Sequence, residues 1–106
     1  MSYLTDLFKE GNEIAHNFAI ENEGKNNMIF PCGFAWIELQ VKKSDKLGKQ
    51  LEDDSLMKWD PFKKVYTAWV HDHNQSMLHK ASHAKALAKF LSKELFVAFT
   101  YRSNVD

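Results

Sequence analysis

The sequence predicts a single small domain of the α/β (or α+β) class, in the order α-β-α-β-α-β. Its sheet is expected to be three-stranded and at least partly parallel, with flanking helices. Three observations predict this. The chain has 106 residues and 44% apolar content, enough for one core and too little length for two domains. Two stretches alternate side chains with the two-residue period of a strand, while others repeat apolar residues every three or four positions, as helices do. Every connection between strands contains a helix, which parallel pairing requires.

The N-terminal helix is expected within residues 1–22 and the α/β core within residues 30–106. In the helix, Leu4, Leu7, Phe8, Gly11, Ala15 and Phe18 share a face, opposite Asp6, Lys9, Glu10 and Glu13. Ser2 is the expected N-cap and Gly24 the expected stop. A polar loop, Asn22 to Asn27, follows. The first strand starts after Pro31 and reaches Val41. Gly33, Ala35, Ile37, Leu39 and Val41 point one way and read as core. Cys32, Phe34, Trp36, Glu38 and Gln40 point the other way and mix aromatic with polar groups.

Ser44 is the expected cap of a short helix ending at Leu51. Glu52 to Pro61 reads as an irregular loop, because Pro61 disfavours helix at Asp60. The second strand, from Lys64 to His71 or His73, sets Tyr66, Ala68 and Val70 against Val65, Thr67, Trp69, His71 and His73. Ser76 caps the last helix, which buries Met77, Ala81, Ala84, Leu87, Ala88, Leu91 and Leu95. Phe96 to Tyr101 has strand composition. Right-handed crossovers would put the two later helices on one face of the sheet, leaving the N-terminal helix to cover the other.

Charge and cysteine content narrow the function classes. Fourteen basic residues balance fourteen acidic ones, which argues against a dedicated nucleic-acid binder. The balance is uneven along the chain. Residues 1–60 carry seven Lys and eleven Asp or Glu, a sum of −4, and residues 61–106 carry seven basic and three acidic residues, a sum of +4. Such a dipolar chain is suited to steering a partner or pairing with its own copy, and a homodimer is one expectation. Cys32 is the only cysteine, so no internal disulfide forms, and a reducing cytoplasm is the expected location. The N-terminus lacks a signal-peptide pattern, and no apolar run is long enough for a membrane span.

The densest chemistry lies between His71 and His83, which hold four of the five histidines. His71 and His73 project to the same side of a strand, and His79 and His83 lie one helical turn apart. Four imidazoles so placed could hold zinc, although the spacing matches no standard zinc signature. Hydrogen-bonded or surface histidines are the plainer reading, and no cofactor is expected. A Cys32–histidine nucleophile is the other enzymatic option, against a Cys32 that is simply buried. Asn74, Gln75 and Ser76 sit where a strand hands over to a helix, a place suited to an anionic group and equally to turn and cap residues. If the first two strands are neighbours, Cys32, Phe34, Trp36, Glu38, Trp69, His71 and His73 share one face as an aromatic platform edged by a thiol, a carboxylate and two imidazoles. The alternatives for that platform are core, beneath the N-terminal helix or the Met57–Phe62 loop, and a dimer interface. Lys85, Lys89 and Lys93 recur every four residues and read as a solvated helix face.

Three stretches, Pro31-Cys32-Gly33-Phe34-Ala35-Trp36, Asn74-Gln75-Ser76 and the tail Arg102-Ser103-Asn104-Val105-Asp106, resemble a family of small uncharacterised proteins encoded by tailed bacteriophages. The resemblance spans residues 30–106. It implies a host-cytoplasmic context and a non-catalytic binder, and carries no activity with it. The expected function is therefore binding: inhibition of a host or defence protein, or sequestration of a small nucleotide-like ligand. Trp36, Trp69, His71, His73, Asn74, Gln75 and Ser76 are the expected contacts. A small histidine-metal or cysteine-dependent enzyme is the first alternative, and a structural homo-oligomer the second.

Overall fold

A computed structural model describes residues 3–24, 33–70 and 77–105. The elements are α1 (Tyr3–Gly24), β1 (Gly33–Leu39), α2 (Lys46–Asp53), β2 (Lys58–Asp60), β3 (Val65–Trp69), α3 (Met77–Leu95) and β4 (Phe99–Val105). The domain mixes helix and strand as expected, but the sheet differs from the expected one. It has four strands in the order β2-β3-β1-β4, and every neighbouring pair is antiparallel. A helix within a connection is necessary for parallel pairing but does not enforce it. Here β3 and β4 both run antiparallel to β1, which lies between them. The chain from β1 to β4 is thus a β-α-β-β-α-β unit with a split β-α-β.

The fourth strand, β2, occupies the stretch expected to be irregular. Asp60 and Pro61 turn β2 back into β3. The Asp60 carboxylate accepts the backbone N–H groups of Phe62 (2.9 Å) and Lys63 (3.1 Å), and the Lys64 N–H donates to Asp60 O at 2.7 Å. Pro61 supplies a preset φ, and Lys64 completes the turn at φ 57°. The cap of α2 is Asp45 rather than Ser44, and its side chain makes no capping hydrogen bond. The same helix ends in a Schellman motif, with Leu56 N–H donating to Leu51 O (2.9 Å) and Ser55 N–H to Glu52 O (3.0 Å) around Ser55 at φ 61°. The last strand starts three residues later than expected, at Phe99, because Phe96 takes a left-handed φ of 57° to leave α3. Ser92 then clips β4 to α3, its hydroxyl accepting the Phe99 N–H and donating to Ala88 O, both at 2.8 Å.

The alternation read in the strands is the one observed. Ile37 pairs with Ala68 and Leu39 with Tyr66 on one face, while Trp36 pairs with Trp69 and Glu38 with Thr67 on the other. The first face is the core. It joins Ala35, Ile37 and Leu39 with Leu51, Leu87, Leu91 and the buried residues of α1, Leu4, Leu7, Phe8 and Ala15. The N-terminal helix therefore lies on the same side as α3, not across the sheet. Its inward residue near the end is Ala19, and Phe18 is exposed. Gly11 permits the close α1–α3 approach: a Cβ there would lie 2.9 Å from Leu87 Cδ1 and from Phe90 Cδ2.

Tyr66 anchors the other end of the core. Its fully buried ring packs edge-on against Trp59, 5.1 Å between centroids, and its hydroxyl donates to Lys43 O at 2.6 Å. A Cβ on Gly48 would fall 2.3 Å from Tyr66 Cε2, and a buried ring has nowhere to move. Gly48→Ala is expected to cost about 1–3 kcal/mol by overpacking, seen as a lower midpoint in urea; an unchanged midpoint would mean the α2–Tyr66 contact is loose. Burial raises the Tyr66 hydroxyl above its ordinary value of 10.0, and Glu52, Asp45 and Asp53 add to the rise. The unfolded chain then loses this proton first. Stability is complete below pH 10 and falls as pH climbs through the folded value. Tyr66→Phe should flatten that alkaline loss in melting curves taken across the range; equal slopes would contradict it.

Candidate functional site

The outer sheet face has no helix over it among the described residues, and an aromatic cluster occupies its centre. Phe34 and Trp36 come from β1 and Trp69 from β3. The Trp36 and Trp69 rings lie 4.7 Å apart, tilted by 36°, and Phe34 meets Trp69 edge-on at 5.8 Å. Trp36 is far less exposed than the other two rings. Trp36 is 9% exposed, Trp69 48% and Phe34 44%.

Trp36 is held rigidly. Its indole Nε1–H donates to Glu38 Oε2 at 2.9 Å, two positions along the same strand face. Lys63 reaches back from the β2–β3 turn to place Nζ 4.3 Å from the Trp36 ring centroid. Glu38 is 4% exposed, so its charge needs partners. Besides the indole, Lys63 Nζ lies 3.6 Å and Arg102 Nε 3.5 Å from its carboxylate. Lys80 from α3 sits 5.8 Å from the Phe34 ring. The result is a half-exposed two-ring surface, Trp69 and Phe34, backed by a fixed tryptophan and bordered by cations.

Antiparallel pairing thus brings together Trp36 and Trp69, the two aromatic contacts expected from sequence. His71, His73, Asn74, Gln75 and Ser76 lie outside the described residues, as does Cys32. The side chain of His79 is outside them too. Of the four histidines considered for zinc, only His83 is placed. It is buried, and its Nε2 donates to Asn12 Oδ1 at 2.8 Å, while Asn12 Nδ2 donates to Phe8 O at 2.8 Å. That bond uses the imidazole to lock α3 against α1. Among the described residues, no group of three or more His, Cys, Asp or Glu is arranged to hold a metal.

A second feature went unread in the sequence. A groove of about 680 Å³ opens between α1, α3 and the β3 edge, lined by Phe8, Asn12, His16, Met57, Trp69 and His83 among others. Its size is that of a small-molecule pocket. His83 beside the apolar stripe of its helix was the available signal. Its partner Asn12 lies 71 residues away in sequence, beyond the reach of local periodicity. No helix of the described residues is long and apolar enough to cross a membrane. Comparison with known proteins found no matching family model, no matching curated protein and no matching solved structure.

Proposed function

We propose that this chain is a non-enzymatic binding protein of the bacteriophage type that sequesters a small nucleotide-like ligand on the outer face of its sheet. One observation carries the reading: Trp69 and Phe34 stand about half exposed, side by side, on a sheet face that no helix of the described residues covers. Large apolar groups gathered on an open face mark an interaction surface. Flat rings suit a ligand with a π face, and the bordering Lys63 and Arg102, which flank Glu38 and stay open to solvent, suit one with negative charge. The architecture offers an analogy, since four-stranded sheets in RNA-binding modules stack unpaired bases on aromatic side chains. In this reading Trp69 stacks on the base and Trp36 sets its position. The polar residues that follow β3 in sequence, His71, His73, Asn74, Gln75 and Ser76, fix the orientation. The setting is the host cytoplasm.

A second reading, inhibition of a host or defence protein, draws on Phe62 and Phe96, which are 96% and 91% exposed. Native mass spectrometry of the protein purified from cells without added ligand separates these readings. A stoichiometric extra mass matching a nucleotide is the expected result. A bare monomer contradicts it and favours the protein-partner reading; bound zinc would favour the metal-enzyme alternative; a stable bare dimer would favour the structural oligomer.

A further inference from the structure

Where β1 ends, two loops bring four lysines together. Lys42 and Lys43 follow β1, and Lys63 and Lys64 close the turn before β3; all four are exposed. They line a recess of about 710 Å³ floored by Val41, Trp59 and Val65, and none of its described lining residues is a carboxylate. Both loops are fixed by hydrogen bonds. The Tyr66 hydroxyl holds Lys43 O at 2.6 Å, Asp45 N–H holds Lys42 O at 2.9 Å, and Asp60 organises the turn through its carboxylate and carbonyl. The Lys63 ammonium is taken up by Glu38 and the Trp36 ring, which leaves Lys42, Lys43 and Lys64 as three like charges on pinned backbones; they repel one another, and a bound anion relieves that repulsion. Lys64 closes its turn at φ 57°, so the backbone that carries its ammonium is fixed as well.

Lys63 belongs to both features, since its ammonium lies over Trp36 and it also lines the recess. From Trp36 to Gln40 the strand direction spans four residues, roughly 13 Å. We propose that the recess is a phosphate-chain site, taking the terminal phosphates of a nucleoside di- or triphosphate. The ammonium groups act as point charges on the phosphate oxygens. The inference rests on the reading of the aromatic face for the base half of the ligand; the recess itself is argued from its own lysines. A nucleoside monophosphate stacked on Trp69 would fall short of the recess, and a polyphosphate chain would reach it.

Calorimetric titration tests the two halves separately. Tripolyphosphate, which has no base, should bind one to one and weaken as salt is raised. Lys43→Gln combined with Lys64→Gln should weaken it by about tenfold or more, while Lys85→Gln combined with Lys89→Gln, on the exposed face of α3, should not. Lys64→Gly should raise the melting temperature and still weaken tripolyphosphate binding, which separates the loss of the charge from any loss of fold. Absence of tripolyphosphate binding, or equal losses in the two double variants, would overturn the phosphate site. An oligothymidylate binding more tightly than ATP would overturn the assignment to a free nucleotide. Adenosine failing to bind while tripolyphosphate binds would leave the recess standing and remove the base-stacking reading of the aromatic face.

Discussion

Trp69→Ala should weaken ligand binding and leave the domain folded. A base stacked on an aromatic ring contributes about 1–3 kcal/mol, so affinity should fall by roughly 5- to 150-fold. The fold should survive the loss, because half of the ring already meets water. What the fold loses is the contact with Trp36 at 4.7 Å and with Phe34 at 5.8 Å, and aromatic pairs contribute about 0.5–1.5 kcal/mol each beyond their area. Calorimetry with ATP, beside a urea melt of the same variant, reads both quantities. If the variant unfolds, Trp69 is a core residue and the assignment of the face fails.

Trp36→Ala should do the reverse and act first on stability. The ring is buried beneath Lys63 and Trp69, and truncating a buried tryptophan costs about 3–5 kcal/mol. A second cost falls on Glu38. It loses its 2.9 Å indole donor and keeps only the longer contacts to Lys63 and Arg102. A buried acceptor short of a donor costs about 1–3 kcal/mol. Domains of this size have about 5–15 kcal/mol in total, so Trp36→Ala should lie near the edge of folding. Trp36→Phe keeps a ring and loses the donor, and should fall between the two. A Trp36→Ala protein with a near-wild-type melt would show that the ring is not the keystone of the face.

The contrast between the two tryptophans marks where sequence reasoning stops. That they share a face followed from the two-residue period of their strands, and the register Trp36↔Trp69 agrees. Which of them is buried did not follow. That depends on Lys63 folding back from a turn and on Glu38 two positions along β1, which no local pattern encodes. The direction of pairing was also illegible, because helical connections suit parallel and antiparallel neighbours alike. β2 escaped notice because three residues beside Asp60-Pro61 carry too little alternation to read as a strand. That no helix among the described residues covers the outer face followed from a tertiary choice: α1 packs on α3 through Gly11 instead of crossing the sheet. Gly11 was visible on the apolar stripe; its partners Leu87 and Phe90 were not. The histidine segment, the densest chemistry in the sequence, contributes to the described structure chiefly through His83, which clamps two helices.

Two-dimensional NMR of the isotope-labelled chain during titration with ATP locates the ligand, since Trp36, Phe34 and Arg102 report on the outer sheet face, Asn12 and His83 on the α1–α3 groove, and Trp69 lines both. The largest shifts should fall on the indole N–H of Trp36 and on the amides of Phe34 and Arg102. Shifts centred instead on Asn12, His83 and Leu87, or no shifts at all, would contradict a ligand on the outer sheet face.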